Sequence, residues 1–456
     1  MNMRKSVPPT VTPTAPLTEP PDTPSAESRA GWRTAVASTL GLACGPSVLA
    51  VTTFGAFIAP LHREFGWGIP AIGLASSILS ITLVIVSPVQ GLLVDRFGGR
   101  RVILCSSPFF ALSLMAMYFL PDSLPAFYLG WVLIPLCGMG LWPASYLRLT
   151  AGWFERRLGL ALGVANSGIG IGTVLAPILT TVLIGTWGWR AAYLGLGVVA
   201  LLAFPIAYFF LADPRPRTEM LRASGDTLRE AARTRPFWLV LAAFVLLGTV
   251  GSTVLVHQIS LLLDAGIPAN IANLVPVALG VALIVARIVT GWLLDRFTVS
   301  HVMSVYLVGG IVSVLLFAAG PNVPTALLAA ALSGLLIGAE FDVLSYLIPR
   351  YFGRLSFGRI YGVAFSTFQI GGAAATSLVS VSRDTYGSYT PAMLVLAVAC
   401  AVCAVLFLCL GPYRYDGGPQ AHTPDPLPHP TPDLAMVGDH PTKKGTEHHD
   451  GDASPA

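Results

Sequence analysis

Apolar and polar positions along the chain fall into long blocks. Between two polar arms lie twelve apolar stretches, at residues 34–60, 70–94, 101–120, 125–150, 158–185, 188–212, 237–263, 269–294, 301–320, 324–349, 358–382 and 390–412. Each reaches the roughly 20 residues that a helix needs to cross the hydrocarbon of a bilayer. A barrel strand would alternate with period two, so these continuous runs predict twelve transmembrane helices. Seven prolines between Pro8 and Pro24, set among Thr and Ser, predict a disordered arm over 1–32. No short apolar core directly follows the basic residues of that arm, so it does not read as a cleaved signal peptide. The tail over 413–456 has the same polar character. Its five histidines (His422, His429, His440, His448, His449) either bind metal loosely or are simply solvated.

Composition sharpens this picture. The 456 residues are 54% hydrophobic and 11% charged, against about 25% charged in a soluble domain, so apolar surface has to be covered by lipid. A net charge of +4 gives no reason to expect a nucleic-acid partner. The six cysteines all sit in apolar runs without the paired spacing of a zinc site. Lysine occurs only at Lys5, Lys443 and Lys444, so the spans hold no Gly-Lys-Ser/Thr phosphate loop and no Schiff-base lysine. No cofactor is expected, and the chain does not read as an enzyme.

The arginines give an orientation. Fifteen lie in the loops after segments 2, 4, 6, 8 and 10, and three (Arg63, Arg190, Arg383) lie on the other side. The positive-inside rule then places both termini in the cytoplasm, and the inner (plasma) membrane is the expected location. The longest connection, over 213–236, contains Thr227-Leu-Arg-Glu-Ala-Ala-Arg-Thr-Arg-Pro236, which predicts a short amphipathic helix at the membrane surface.

An internal repeat organises the segments. Gly68-Ile-Pro-Ala71 returns as Gly266-Ile-Pro-Ala269, and Trp153-Phe154 as Tyr351-Phe352, both at an offset of 198. Gly91-Leu-Leu-Val-Asp95-Arg96-Phe97 returns as Gly291-Trp-Leu-Leu-Asp295-Arg296-Phe297 at 200, and Gly159 and Gly163 return as Gly358 and Gly362 at 199. Several matches in order at one spacing predict two six-helix halves of the same orientation, over 33–212 and 237–412.

With these features the chain, over about residues 33–412, resembles the major facilitator superfamily. The family's signature between helices 2 and 3 stands complete as Gly91, Asp95, Arg96, Gly98, Arg100 and Arg101, and its second copy retains Gly291, Asp295 and Arg296. The resemblance implies the two-half fold and a monomeric carrier working by alternating access. A finer resemblance is to the monocarboxylate-porter and oxalate–formate-exchanger branch. It rests on Trp153 to Gly163, on Arg350 to Gly362, and on Arg287 four residues before Gly291, where that branch places its carboxylate-binding arginine. His257 sits where several bacterial members keep a polar residue. The chain departs from the branch in having no lysine in helix 1 or helix 11, and in carrying Leu283 where animal members have an aspartate.

Placing every charge in a loop, an arm or a span leaves only Arg148, His257, Arg287, Glu340 and Asp342 inside. A charge at bilayer depth is costly and marks function by default. Arg287 lies nine residues before Arg296, roughly 13 Å deep at 1.5 Å per residue. Its guanidinium either forks a substrate carboxylate or forms a structural pair with a helix-10 acid. Glu340, ten residues before Arg350, has a similar depth, and Asp342 projects about 200° away around the helix. One of these acids is expected to carry a proton or to hold Arg287 when substrate is absent; helix packing is the other reading. His257, nearer the opposite face, titrates or hydrogen-bonds substrate, or is structural. Arg148 is a further substrate ligand or reaches to the interface. Tyr346 is expected at the site, and Trp131, Trp142, Tyr128 and Tyr146 are candidate walls. Asp95 and the arginines after it are expected to pair with neighbouring helix ends and hold the cytoplasmic face shut.

The function expected is transport of a small organic anion, a monocarboxylate such as lactate or pyruvate, or formate or oxalate, coupled to a proton or a counter-anion. One alternative is export of cationic compounds, in which Glu340 or Asp342 would be the counter-charge. Another is a membrane sensor using the same fold.

Overall fold

The computed structural model describes residues 29–213, 225–272 and 274–415. The N-terminal arm, residues 214–224 of the connection and the tail beyond Tyr415, with its histidines, lie outside the described residues. Twelve helical segments follow one another. α1 spans Arg29–Phe65, α2 Ile69–Phe97 and α3 Gly99–Ala116. α4 consists of Leu124–Cys137 and Pro143–Ala151, and the continuous run from Leu158 holds α5 (158–187) and α6 (189–210). In the second half α7 is Arg235–Asp264, α8 Val275–Leu294 and α9 Val299–Ala318. α10 is Val323–Tyr351, α11 Phe357–Tyr386 and α12 Thr390–Leu408. Among the described residues the only strand-like pairing is an isolated bridge between Gly225 and Gly353.

The turn between α5 and α6 is made by Gly188, whose φ of 83° is open to glycine but costly for a residue with a Cβ. Several segments expected to be continuous are broken, among them the first and the fourth. α1 divides into Arg29–Ala43, Pro46–Leu49 and Phe54–Phe65, and α4 passes through a 3₁₀ turn at Met139–Leu141. Pro46 and Pro143 each start a new piece, because proline has no N–H to donate back into the preceding turn. The outer surface is rich in exposed Ile, Val, Leu and Phe, such as Ile81, Ile85, Phe109 and Val305, as lipid contact requires.

Glycines set how closely the helices approach. A Cβ on Gly168 of α5 would overlap the Thr39 carbonyl of α1, and one on Gly371 of α11 would overlap the Val245 carbonyl of α7. Each half thus docks its fifth helix on its first. Between the halves, Gly91 of α2 abuts the Gly358 carbonyl of α11, and Gly291 of α8 abuts the Gly159 carbonyl of α5. Small residues allow such backbone contact where the hydrophobic effect drives no helix association.

The short helix Leu228–Ala231 in the connection carries a capping box, with Thr227 and Glu230 each bonding the other's backbone N–H. Residues after α12 are also anchored. Arg414 pairs with Asp226 at 2.9 Å, Tyr415 donates to Asp226 at 2.8 Å, and the Arg414 and Tyr415 amides both bond the Arg350 carbonyl. The start of the tail therefore packs on the end of α10 and on the connection between the halves.

Candidate functional site

Arg287 lies in the middle of α8 and is 3% exposed. Its position follows from close helix packing. Gly163 lets α5 touch the Arg287 carbonyl, and Gly334 and Gly338 bring α10 against the backbone of Leu279 and Leu283. The acid that Leu283 does not supply comes instead from α10. Asp342, fully buried, places Oδ1 3.9 Å from Arg287 Nη1. Asn166 of α5 donates to the same Oδ1 at 2.5 Å. Tyr361 of α11 holds its hydroxyl within electrostatic range of Arg287 and Asp342.

These groups are incompletely satisfied. Arg287 Nε and Nη1, Asp342 Oδ2 and Asn166 Oδ1 are buried without a hydrogen-bond partner in the protein. A buried unpaired group costs about 1–3 kcal/mol, and more when charged. An unfilled N–H on a buried, charged guanidinium calls for an anionic acceptor such as a carboxylate oxygen. Glu340, 2% exposed, points elsewhere, its Oε2 lying towards Gly251 of α7. Of the two acids, Asp342 is the one that faces Arg287.

Three residues considered with Arg287 engage elsewhere. Arg148 donates to Asp95 at 2.7 Å and to the Val94 carbonyl, at the signature end of the bundle. Tyr346 packs its ring 6.5 Å from Tyr413 and beneath the Arg350 guanidinium. His257 lies 6.3 Å from the Tyr389 ring, at the opposite end, with Nε2 unpartnered. Trp131 packs on Phe54, and Tyr128 donates to the Ala71 carbonyl. Asn166 and Tyr361 escaped a sequence inventory restricted to formal charge. Asn166 was visible as a lone amide in the glycine-rich run of α5, whereas Tyr361 carried no such signal.

At the signature end the two halves exchange equivalent contacts. Asp95, ending α2, accepts the Gly358 and Arg359 amides at 2.9 Å each, at the N-terminus of α11. Asp295, following α8, accepts the Gly159 and Leu160 amides at 2.7 and 2.9 Å, at the N-terminus of α5. Each carboxylate fills unpaired donors at a helix start and meets the positive end of its dipole. Arg350 and Arg354 add bonds to the Glu155 and Phe154 carbonyls. Arg100 instead ties α3 to the Ala207 and Tyr208 carbonyls within the first half. Arg296 covers the Trp292 ring, Arg96 lies near Phe97, and Gly98 makes the loop at φ 87°. Arg101 is exposed.

A bundle of twelve apolar helices in two equivalent halves, with a buried charge pair near mid-height and an ionic seam at one end, defines a multi-pass membrane transporter. The chain belongs to the Major Facilitator Superfamily, whose family model matches residues 40–264 and 252–435. Its sequence is similar to monocarboxylate transporter 11 of Mus musculus, with 27% identity covering 87% of this chain and 90% of the relative. It is also similar to monocarboxylate transporter 13 of Rattus norvegicus, with 28% identity over 83% and 87% of the two chains. Among solved structures, the Escherichia coli fucose:proton symporter FucP superposes with a TM-score of 0.66 and 16% identity, covering 85% of this chain and 99% of that one.

Proposed function

We propose that this protein carries a small organic monoanion across the plasma membrane by alternating access, with the carboxylate bound at Arg287. The observation that carries this reading is the buried Arg287 guanidinium with two unpartnered donors. The relatives named monocarboxylate transporters support the same substrate class. Both termini lie in the cytoplasm, on the strength of the arginine distribution. The two halves, 33–212 and 237–412, rock as units in a monomer.

Charge balance links the anion to a proton. Without substrate, Arg287 and Asp342 form a neutral pair. A carboxylate that takes the guanidinium leaves Asp342 unpaired in a medium where net charge is costly. Asp342 then binds a proton, and anion and proton cross together without net charge; exchange for a second anion is the other way to keep balance. Glu340 acts as a secondary proton site.

The test is thermal stabilisation of the purified protein by short carboxylates, on wild type and Arg287→Ala. A bound ligand stabilises in proportion to the logarithm of its excess over Kd. Lactate, pyruvate or formate should raise the wild-type midpoint and leave the variant unmoved. Stabilisation by lipophilic cations, with none by carboxylates, would overturn the proposal in favour of a cation exporter.

A further inference from the structure

The middle of the bundle has two unlike walls. The polar wall is Arg287, Asp342 and Asn166, from α8, α10 and α5. The other is aromatic. Phe341, between Glu340 and Asp342 on α10, has its ring 5.4 Å from Phe365 and 4.9 Å from Phe368, both on α11. Trp142, at the break in α4, reaches across from the other half to 6.2 Å from Phe365, and Tyr361 stacks on Phe365 at 6.4 Å. The repeat makes the asymmetry explicit, because Asn166 of α5 and Phe365 of α11 are equivalent positions at the 199-residue offset. One contacts α10 through an amide and the other contacts α4 through a ring.

We propose that this wall selects the substrate: a monocarboxylate whose body is one planar, apolar ring, lying against Phe365, Phe341 and Trp142 while its carboxylate meets Arg287. The inference rests on the reading of Arg287 as the anion anchor. Two observations point to a ligand and away from packing alone. Trp142 is 5% exposed, yet its Nε1–H has no acceptor in the protein. An indole N–H at a buried position normally finds a partner, and a hydroxyl or keto oxygen on the substrate ring would supply one. Phe341 stays partly exposed although Glu340 and Asp342 on either side of it are enclosed. Charge argues against a dicarboxylate: with no lysine in the spans and Asp342 already beside Arg287, a second carboxylate would face that acid without a cation of its own. Formate and oxalate would leave the rings unfilled.

The experiment measures binding of acetate and phenylacetate to the full-length protein by thermal shift, on wild type, Phe365→Ala, Trp142→Phe and Arg287→Ala. Phenylacetate should bind wild type at least about tenfold tighter than acetate, from ring burial and stacking. Phe365→Ala should bring phenylacetate down to the level of acetate without moving acetate, whose retained binding shows that the variant is folded. Trp142→Phe should weaken a ring-hydroxylated phenylacetate by several fold more than the parent compound. Equal wild-type affinities for acetate and phenylacetate, or a parallel loss of both in Phe365→Ala, would overturn the aromatic selectivity while leaving the anion site standing. Binding of both acids that survives Arg287→Ala would remove the anchor, and this inference with it.

Discussion

Asn166 and Asp342 meet at 2.5 Å across the interface between the halves, on the same carboxylate oxygen that faces Arg287. A hydrogen bond to a charged group contributes about 1.5–3 kcal/mol. Asn166→Leu removes this bond and the unpartnered Asn166 Oδ1, leaving Asp342 to Arg287 alone. Proton-driven uptake in proteoliposomes should then fall about tenfold. Carboxylate binding in detergent should stay within a few fold of wild type, because the donors on Arg287 are untouched. Equal losses of binding and uptake would show that Asn166 contacts the substrate itself.

Arg287→Lys keeps the charge and removes the fork. An ammonium on a flexible stem cannot present two parallel donors, so the exchange is not conservative at a bidentate site. Uptake of monocarboxylates should fall at least about tenfold in Arg287→Lys and to background in Arg287→Ala. Full uptake by the lysine variant would show that Arg287 supplies only charge. Asp342→Asn offers the complementary test: it should lose acceleration by an inward proton gradient and retain anion exchange.

The fold was legible because lipid makes demands that a sequence states openly. Continuous apolar runs located the twelve segments, and the repeat from Gly91-to-Phe97 to Gly291-to-Phe297 assigned them to two halves. Breaks in α1 and α4 were less legible, since Pro46 and Pro143 sit in otherwise unbroken apolar composition. Of the site, Arg287 and its helix-10 acid could be found by depth and charge alone. Which acid faced it could not, because Glu340 and Asp342 differ only in azimuth, and the rotation of α10 is fixed by Gly334 and Gly338 against α8. The engagement of Arg148 with Asp95 depends on where α4 crosses α2, a relationship with no local sequence signal.

Asp95 and Asp295 close the same seam by the same means, so their loss should act on the balance of conformations and not on the site. Asp95→Asn or Asp295→Asn replaces charge-assisted bonds at a helix N-terminus with weaker ones, a change of about 1–2 kcal/mol. The open population at the signature end should rise about tenfold. Labelling of a cysteine placed at Ser356, buried in the α10–α11 loop, measures it. Carboxylate binding at Arg287 should persist. If either substitution abolishes binding, the aspartates serve the site and not the seam.

Gly291→Ala separates folding from closure most sharply. In the closed seam a Cβ on Gly291 would overlap the Gly159 carbonyl, a backbone atom that cannot turn aside as a side chain can. Alanine is nonetheless the better helix former by about 1 kcal/mol, so nothing opposes the substitution when the seam is open. The variant should fold with an unchanged or higher melting temperature, leave a cysteine at Ser356 accessible to label, and lose transport. Gly280→Ala, on the same helix with open space around it, is the control and should transport normally. Normal transport by Gly291→Ala would mean that α5 and α8 need not come together as closely as they do here, and the seam would lose its role in alternating access.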